Sequence, residues 1–191
     1  MKKVISSMFV AATLLCSTCH ADVSLIELMY NPSTSQGSDS THEYLVLSNT
    51  TGSAINLEDY VIADAVGTYN VPAGVSIAAM GFLVMGSDLS QMDFETAFGM
   101  LPSATVYFDT MGGLPAFNNG GDDISMTNPI GTFKFQFSYP DNSPGDGDGM
   151  AIAFDSGGNA TPIEPLSSIP EPGSSALLLL ALGTLLRRRR R

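Results

Sequence analysis

Tryptophan is absent from this chain, and cysteine is confined to Cys16 and Cys19 near its start. From residue 22 onward no thiol remains. That excludes a disulfide framework and thiolate chemistry, and leaves packing or bound ions to stabilise a fold. Positive charge is almost as scarce. Between residues 22 and 169 stand 18 acidic residues against one basic residue, Lys134, a net charge of −17 where the whole chain carries −11. A surface of that sign repels phosphate backbones, so nucleic acid is excluded as a partner, while divalent cations and cationic polymers are attracted. The plainer account of the acidity is solubility. Histidine is limited to His20 and His42, too few to build a hydrolytic zinc site.

What is present is concentrated at the two ends. Lys2 and Lys3 precede an apolar run from Val4 to Cys16, and Cys19-His20-Ala21 ends on a small residue. This is the pattern of a secretory signal peptide over residues 1–21, cut after Ala21. A lipoprotein signal fits poorly, because Leu15 is too large to precede a lipidated Cys16 and Cys19 lacks a Leu three residues upstream. At the other end, Pro170-Glu171-Pro172 is followed by an apolar run from Ala176 to Leu186 and then Arg187, Arg188, Arg189, Arg190 and Arg191. Arginine is costly within the bilayer and is retained on the cytoplasmic side. With both cationic ends inside, the middle of the chain is expected outside the cytoplasm.

The order Pro-Glu-Pro, apolar helix, arginine cluster resembles the PEP-CTERM sorting signal of bacterial exported proteins. The resemblance implies recognition by an exosortase, a membrane enzyme, with cleavage near the Pro-Glu-Pro. An ordinary tail anchor gives the same topology. A helix from Ser174 to Leu186 would span about 20 Å at about 1.5 Å per residue, against a hydrocarbon core of about 30 Å. So short a span suits a temporary hold at the inner membrane better than a permanent anchor.

Residues 22–155 are β-type. Short runs rich in β-branched, aromatic and aliphatic residues cover Val23–Tyr30, Glu43–Ser48, Tyr60–Ala63, Thr68–Val71, Val75–Ala78, Phe82–Gly86, Thr105–Phe108, Phe133–Tyr139 and Met150–Phe154. Turn formers separate them at Asn31-Pro32, Asn49–Gly52, Pro72–Gly74, Asn118–Asp123 and Pro140–Gly149. Alternation over Phe133–Tyr139 places three Phe and one Tyr on one face. Many short strands at such spacing predict a two-sheet sandwich. One helix is predicted, capped by Ser90, running to Phe98 and stopped by Gly99. Residues 156–169, rich in Ser, Gly, Pro, Asn and Thr, are expected to form a flexible spacer.

The strand runs carry a recognisable order. Leu25-Ile26-Glu27-Leu28-Met29-Tyr30-Asn31-Pro32 precedes Glu43-Tyr44-Leu45-Val46-Leu47-Ser48-Asn49, then Ile55-Asn56-Leu57-Glu58-Asp59-Tyr60, Val71-Pro72-Ala73-Gly74 and Phe82-Leu83-Val84. Over roughly residues 23–155 this resembles the lamin-tail domain, which implies an all-β, immunoglobulin-like β-sandwich. Bacterial members often carry a second acidic residue where this chain has Val46, and Tyr60 stands where a Trp is common. The four expected regions are therefore a signal peptide (1–21), a lamin-tail-like sandwich (22–155), a linker (156–169) and a sorting segment (170–191).

No catalytic constellation is evident. His42 beside Glu43 lacks a defined nucleophile, and a carboxylate pair for glycoside hydrolysis has no groove signal to single it out. Asp122-Asp123 and the Gly-rich Asp141–Gly149 stretch are the acidic clusters. Asp141, Asp146 and Asp148 with loop carbonyls could encircle a calcium ion, although the EF-hand order is not met; the alternative is a solvated connection whose glycines serve turn geometry. Asn49-Thr50-Thr51 fits a glycosylation acceptor, of little weight beside a bacterial sorting signal. The expectation is a non-enzymatic module, structural or adhesive, at the cell surface or in the extracellular matrix. Exopolysaccharide or surface proteins are its expected contacts, and no resident cofactor is expected unless Ca²⁺ binds. The alternatives are a calcium-dependent carbohydrate- or surface-binding module and a secreted hydrolase.

Overall fold

The computed structural model describes residues 22–141, 145–155 and 158–171. The expected signal peptide with Ala21, and the tail from Pro172 to Arg191, lie outside the described residues. Twelve strands and two helices follow in chain order: β1 (Val23–Met29), α1 (Asp39–His42), β2 (Tyr44–Asn49), β3 (Ile55–Asn56), β4 (Val61–Ala63), β5 (Thr68–Asn70), β6 (Ser76–Ile77), β7 (Phe82–Gly86), α2 (Gln91–Phe98), β8 (Thr105–Asp109), β9 (Gly121–Thr127), β10 (Phe133–Pro140), β11 (Ala151–Phe154) and β12 (Ala160–Ile163). Six strands form one sheet in the order β12-β11-β1-β2-β7-β8, four form a second in the order β10-β9-β4-β5, and β3 pairs with β6. All pairings are antiparallel except β7 with β8.

Period-2 alternation explains where the core sits. Leu25, Leu45, Leu47, Leu83 and Met85 of the six-stranded sheet meet Ile62, Ile124, Met126, Phe135 and Tyr139 of the four-stranded sheet in one buried cluster. Leu57, Val71, Val75 and Ile77 close its end. The Leu57–Tyr60 corner is tied by a Tyr60 N–H bond to the Leu57 carbonyl at 3.0 Å.

The other face of the six-stranded sheet is covered as well. Met29, Tyr44, Val46, Val84 and Ala151 pack beneath Phe94 and Phe98 of α2 and beneath Leu166 and Ile169. Strand β2 is therefore buried on both faces along its whole length. This accounts for Val46: fully buried against helix α2 and its neighbours, an acidic side chain there would be dehydrated. Helix α2 forms as predicted. Ser90 Oγ accepts the Asp93 N–H at 3.2 Å, and Phe94 and Phe98, four residues apart, share the buried side.

The stretch expected as a flexible spacer is otherwise. Ala160–Ile163 pairs with β11 residue for residue, and the chain beyond it returns over the sheet. Its anchor is Glu27, which is fully buried. A bulge between Leu25 and Glu27 turns Glu27 to the outer face while Leu28 regains the core. Glu27 Oε1 accepts the Tyr44 hydroxyl at 2.6 Å and the Leu166 N–H at 2.7 Å; Oε2 accepts the Ser168 hydroxyl at 2.6 Å. Composition alone suggested a spacer because the holding group lies at the opposite end of the chain.

Strand β9 replaces part of an expected turn, since Asn118–Asp123 carries turn formers right up to its start. Phe133 leaves the expected aromatic face. A register shift between Phe133 and Phe135 throws it outward, 58% exposed, while Phe135 and Tyr139 stay buried.

Candidate functional site

Glu43 sits between α1 and β2, with its backbone carbonyl fixed by the Ser87 N–H at 3.0 Å. Strand β2 buries both its faces, so the residue that enters it is drawn inside as well. Glu43 is only 4% exposed. Its carboxyl forms the inner wall of a hollow of about 520 Å³, lined also by Asp39, Asp64, Val66, Phe117 and Asn119.

Each wall is set by local turn chemistry. Asp64 Oδ1 accepts the Val66 N–H at 2.7 Å and that of Gly67, closing the β4–β5 connection. Asn119 Nδ2 donates to Asp39 Oδ2 at 2.8 Å, holding the loop before β9 against α1. Asp122, at the start of β9, accepts the Asn118 N–H at 3.1 Å and, more weakly, the Ala65 N–H at 3.4 Å. It also lines an adjoining hollow of about 420 Å³ with Tyr139 and Asp141, and Asn118 borders both.

The electrostatics are one-sided. The one hydrogen bond to Glu43's carboxyl among the described residues comes from the Phe117 N–H to Oε2, at 3.3 Å. Burial pushes the carboxyl up to about 8; the Phe117 N–H opposes this, and Asp39, Asp64 and Asp122 add to it. Tyr139 is 2% exposed, packs its ring on Tyr30 at 4.6 Å, and has no hydrogen-bond partner for its hydroxyl among the described residues. Burial raises its hydroxyl pKa, with Asp122, Glu43 and Asp64 among the further causes. A buried carboxyl and a buried phenol in one acidic field can bind a cationic group or donate hydrogen bonds, but no nucleophile–base pair accompanies them.

The residues singled out in the sequence fall elsewhere. His42 ends α1, bonds Thr41 Oγ1 through Nδ1 at 2.6 Å and sets its ring edge-on to that of Phe98, the ring centres 6.3 Å apart. Asp146 accepts a hydrogen bond from Asn31 Nδ2, and Asp148 Oδ1 accepts the Met150 N–H at 2.8 Å. With Asp141 they lie in the field of Tyr30, whose hydroxyl burial and these carboxylates push up to about 12. Among the described residues, no three acidic or histidine side chains are gathered closely enough to hold a metal. Pro170 and Glu171 are exposed at the end of the described chain, directly after the buried Ile169. Pro172 and Arg187, Arg188, Arg189, Arg190 and Arg191 lie outside the described residues. Among those residues, no helix is long and apolar enough to cross a membrane. Asn49 is buried and donates to the Ser53 and Ala78 carbonyls at 2.7 and 2.9 Å, a structural post rather than an acceptor.

Reasoning from the sequence missed Asp39, Asp64 and Tyr139 as neighbours of Glu43. The Asp64-Ala65-Val66-Gly67 turn pattern was a local signal, but nothing local places that turn beside residues 117–122.

No curated protein matches the chain. A family model described as Lamin Tail Domain matches residues 17–141. That match spans well over half of the sequence and ends within the sandwich, whose last two strands continue the same sheet. The pairing of an all-β sandwich with this match settles the family: the chain belongs to the lamin tail domain family, an immunoglobulin-like structural family rather than a family of enzymes.

Proposed function

We propose that this protein is an exported, non-enzymatic module that acts structurally or adhesively at the cell surface or in the extracellular matrix. An N-terminal signal peptide cut after Ala21 takes it across the inner membrane. An exosortase-type enzyme then sorts it through Pro170, Glu171 and Pro172 and the arginines Arg187 to Arg191. The inner membrane holds the precursor until that step.

The observation that carries this reading is the order of the last 22 residues: Pro-Glu-Pro, an apolar run and five arginines. The body supports it. A thiol-free sandwich with a net charge of −17 over residues 22–169 suits an exterior compartment and a contact role. Fractionation of the producing cell, with intact-mass analysis of the surface material, tests it. The expected product begins at Asp22 and lacks the five arginines. Surface material that still carries Arg187–Arg191 contradicts processing, and a wholly cytosolic protein contradicts export.

A further inference from the structure

We infer that the hollow at Glu43 receives an alkylammonium group, the side chain of a lysine presented by a partner protein. Glu43 is 4% exposed, and its Oε1 accepts no hydrogen bond among the described residues, while Oε2 takes only the Phe117 N–H. Asp39 and Asp64 stand in the same wall. What sets the hollow apart from a merely acidic surface is Glu43 itself, a nearly wholly buried side chain that lines it and leaves Oε1 without a donor among the described residues; Tyr139 belongs to the adjoining hollow.

The described residues have little of their own to offer these carboxylates. Lys134, the one basic residue between 22 and 169, bonds Asp22 at 2.7 Å, and the His42 ring is turned to Phe98. The groups facing Glu43 are Asp39 from α1, Asp64 from the β4–β5 turn, Asp122 from β9 and Tyr139 from β10, none of them cationic.

The shape selects among cations. Three gathered carboxylates are wanting for a metal ion among the described residues. A guanidinium prefers a carboxylate with both oxygens open to its fork, and here one oxygen is already engaged. An ammonium is a compact charge on a four-carbon stem, and such stems lie along apolar surface. Val66, 92% exposed, and Ala116 supply that surface beside the carboxylates. Because burial keeps Glu43 largely protonated near neutrality, the incoming ammonium displaces its proton, and affinity rises with pH up to about 8.

This inference rests on the adhesive reading only for where the partner is met. Surface localisation can fail while the titration below succeeds, and the converse also holds, so the two are separable. The test is NMR titration of the full-length chain in detergent, following backbone amides, with a lysine-bearing tripeptide and its norleucine counterpart, glucosamine and CaCl₂. The expected result is saturable shifts at Glu43, Val66 and Phe117 with the lysine peptide and none with norleucine. In Glu43→Gln the affinity falls about tenfold or more with the melting temperature held or raised; Asp64→Asn weakens it less. Equal affinity in parent and Glu43→Gln overturns the inference in favour of diffuse surface charge. Saturation by glucosamine without the peptide, or by Ca²⁺ at the same amides, overturns it in favour of an amino sugar or a metal.

Discussion

Glu27 and Ser168, 141 positions apart, share a 2.6 Å hydrogen bond inside the protein, joining the first strand to the last described turn of chain. The same carboxylate takes the Tyr44 hydroxyl and the Leu166 N–H, so one side chain fastens the C-terminal strap over the sheet. Glu27→Ala leaves those donors buried without an acceptor, which costs about 3–5 kcal/mol; Ser168→Ala removes one bond and costs about 1–2 kcal/mol. Urea unfolding of the two variants checks the ranking. A Glu27→Ala midpoint equal to the parent's would mean that the strap is not held there.

Glu43 makes the opposite prediction for stability. Its carboxyl pKa is raised from 4.5 to about 8 on folding, so the native state binds the extra proton between those values. Its contribution is therefore fully present below pH 4.5, erodes as pH rises toward 8 and is level above that. The slope is at most about 1.4 kcal/mol per pH unit. Glu43→Gln has no proton to lose there. The expected outcome is a variant that gains on the parent steadily from pH 5 to pH 8, read as the difference between their melting temperatures. A constant difference would place the carboxyl in water.

Much of the fold was legible because it is written locally. Phe82–Gly86 is a short apolar run bounded by Gly81 and Ser87-Asp88, and Ser90, Asp93 and Gly99 mark the helix start and stop within ten residues. The misses share one physical cause, dependence on residues far away in sequence. β12 exists because β11 offers it an edge, and the strap docks because Glu27 lies beneath it. β9 needed the pairing of Tyr139 with Asp122 to reveal that an acidic turn continues as a strand. For the site, the composition gave the sign of the charge but not its address. The prominent Asp141–Gly149 cluster drew attention, whereas the buried carboxyl stood alone in sequence beside the lone His42.

Val46 tests how the second core was built. It lies fully buried beneath α2, opposite Val84 in the β2–β7 register and Glu27 in the β1–β2 register. Val46→Glu would put a second carboxyl beside Glu27 with no cation near it among the described residues. The expected loss is at least about 3 kcal/mol, while Val46→Thr, which keeps the shape and can hydrogen-bond, loses about 1–2 kcal/mol. Denaturant melts of the two variants check this. A tolerated Val46→Glu would require a partner for the new charge that this arrangement does not supply.

The strap also carries the last buried residues among those described. Leu166 and Ile169 are 7% and 4% exposed, so a chain stopped after Ile169 keeps every described buried apolar residue of the outer face, whereas one stopped after Asp155 loses both along with β12. Removing two such side chains and an edge strand uncovers Met29, Tyr44 and Ala151, and costs about 3 kcal/mol or more at roughly 25 cal/mol per Å² of apolar surface. The prediction compares three lengths by thermal melting and a hydrophobic dye: the full chain, a stop after Glu171 and a stop after Asp155. The first two should melt alike, and the third should melt lower and bind more dye than the chain stopped after Glu171. Cleavage near Pro170–Pro172 would then leave every described strand and both buried clusters together, because Ile169, the last buried residue among those described, directly precedes the motif.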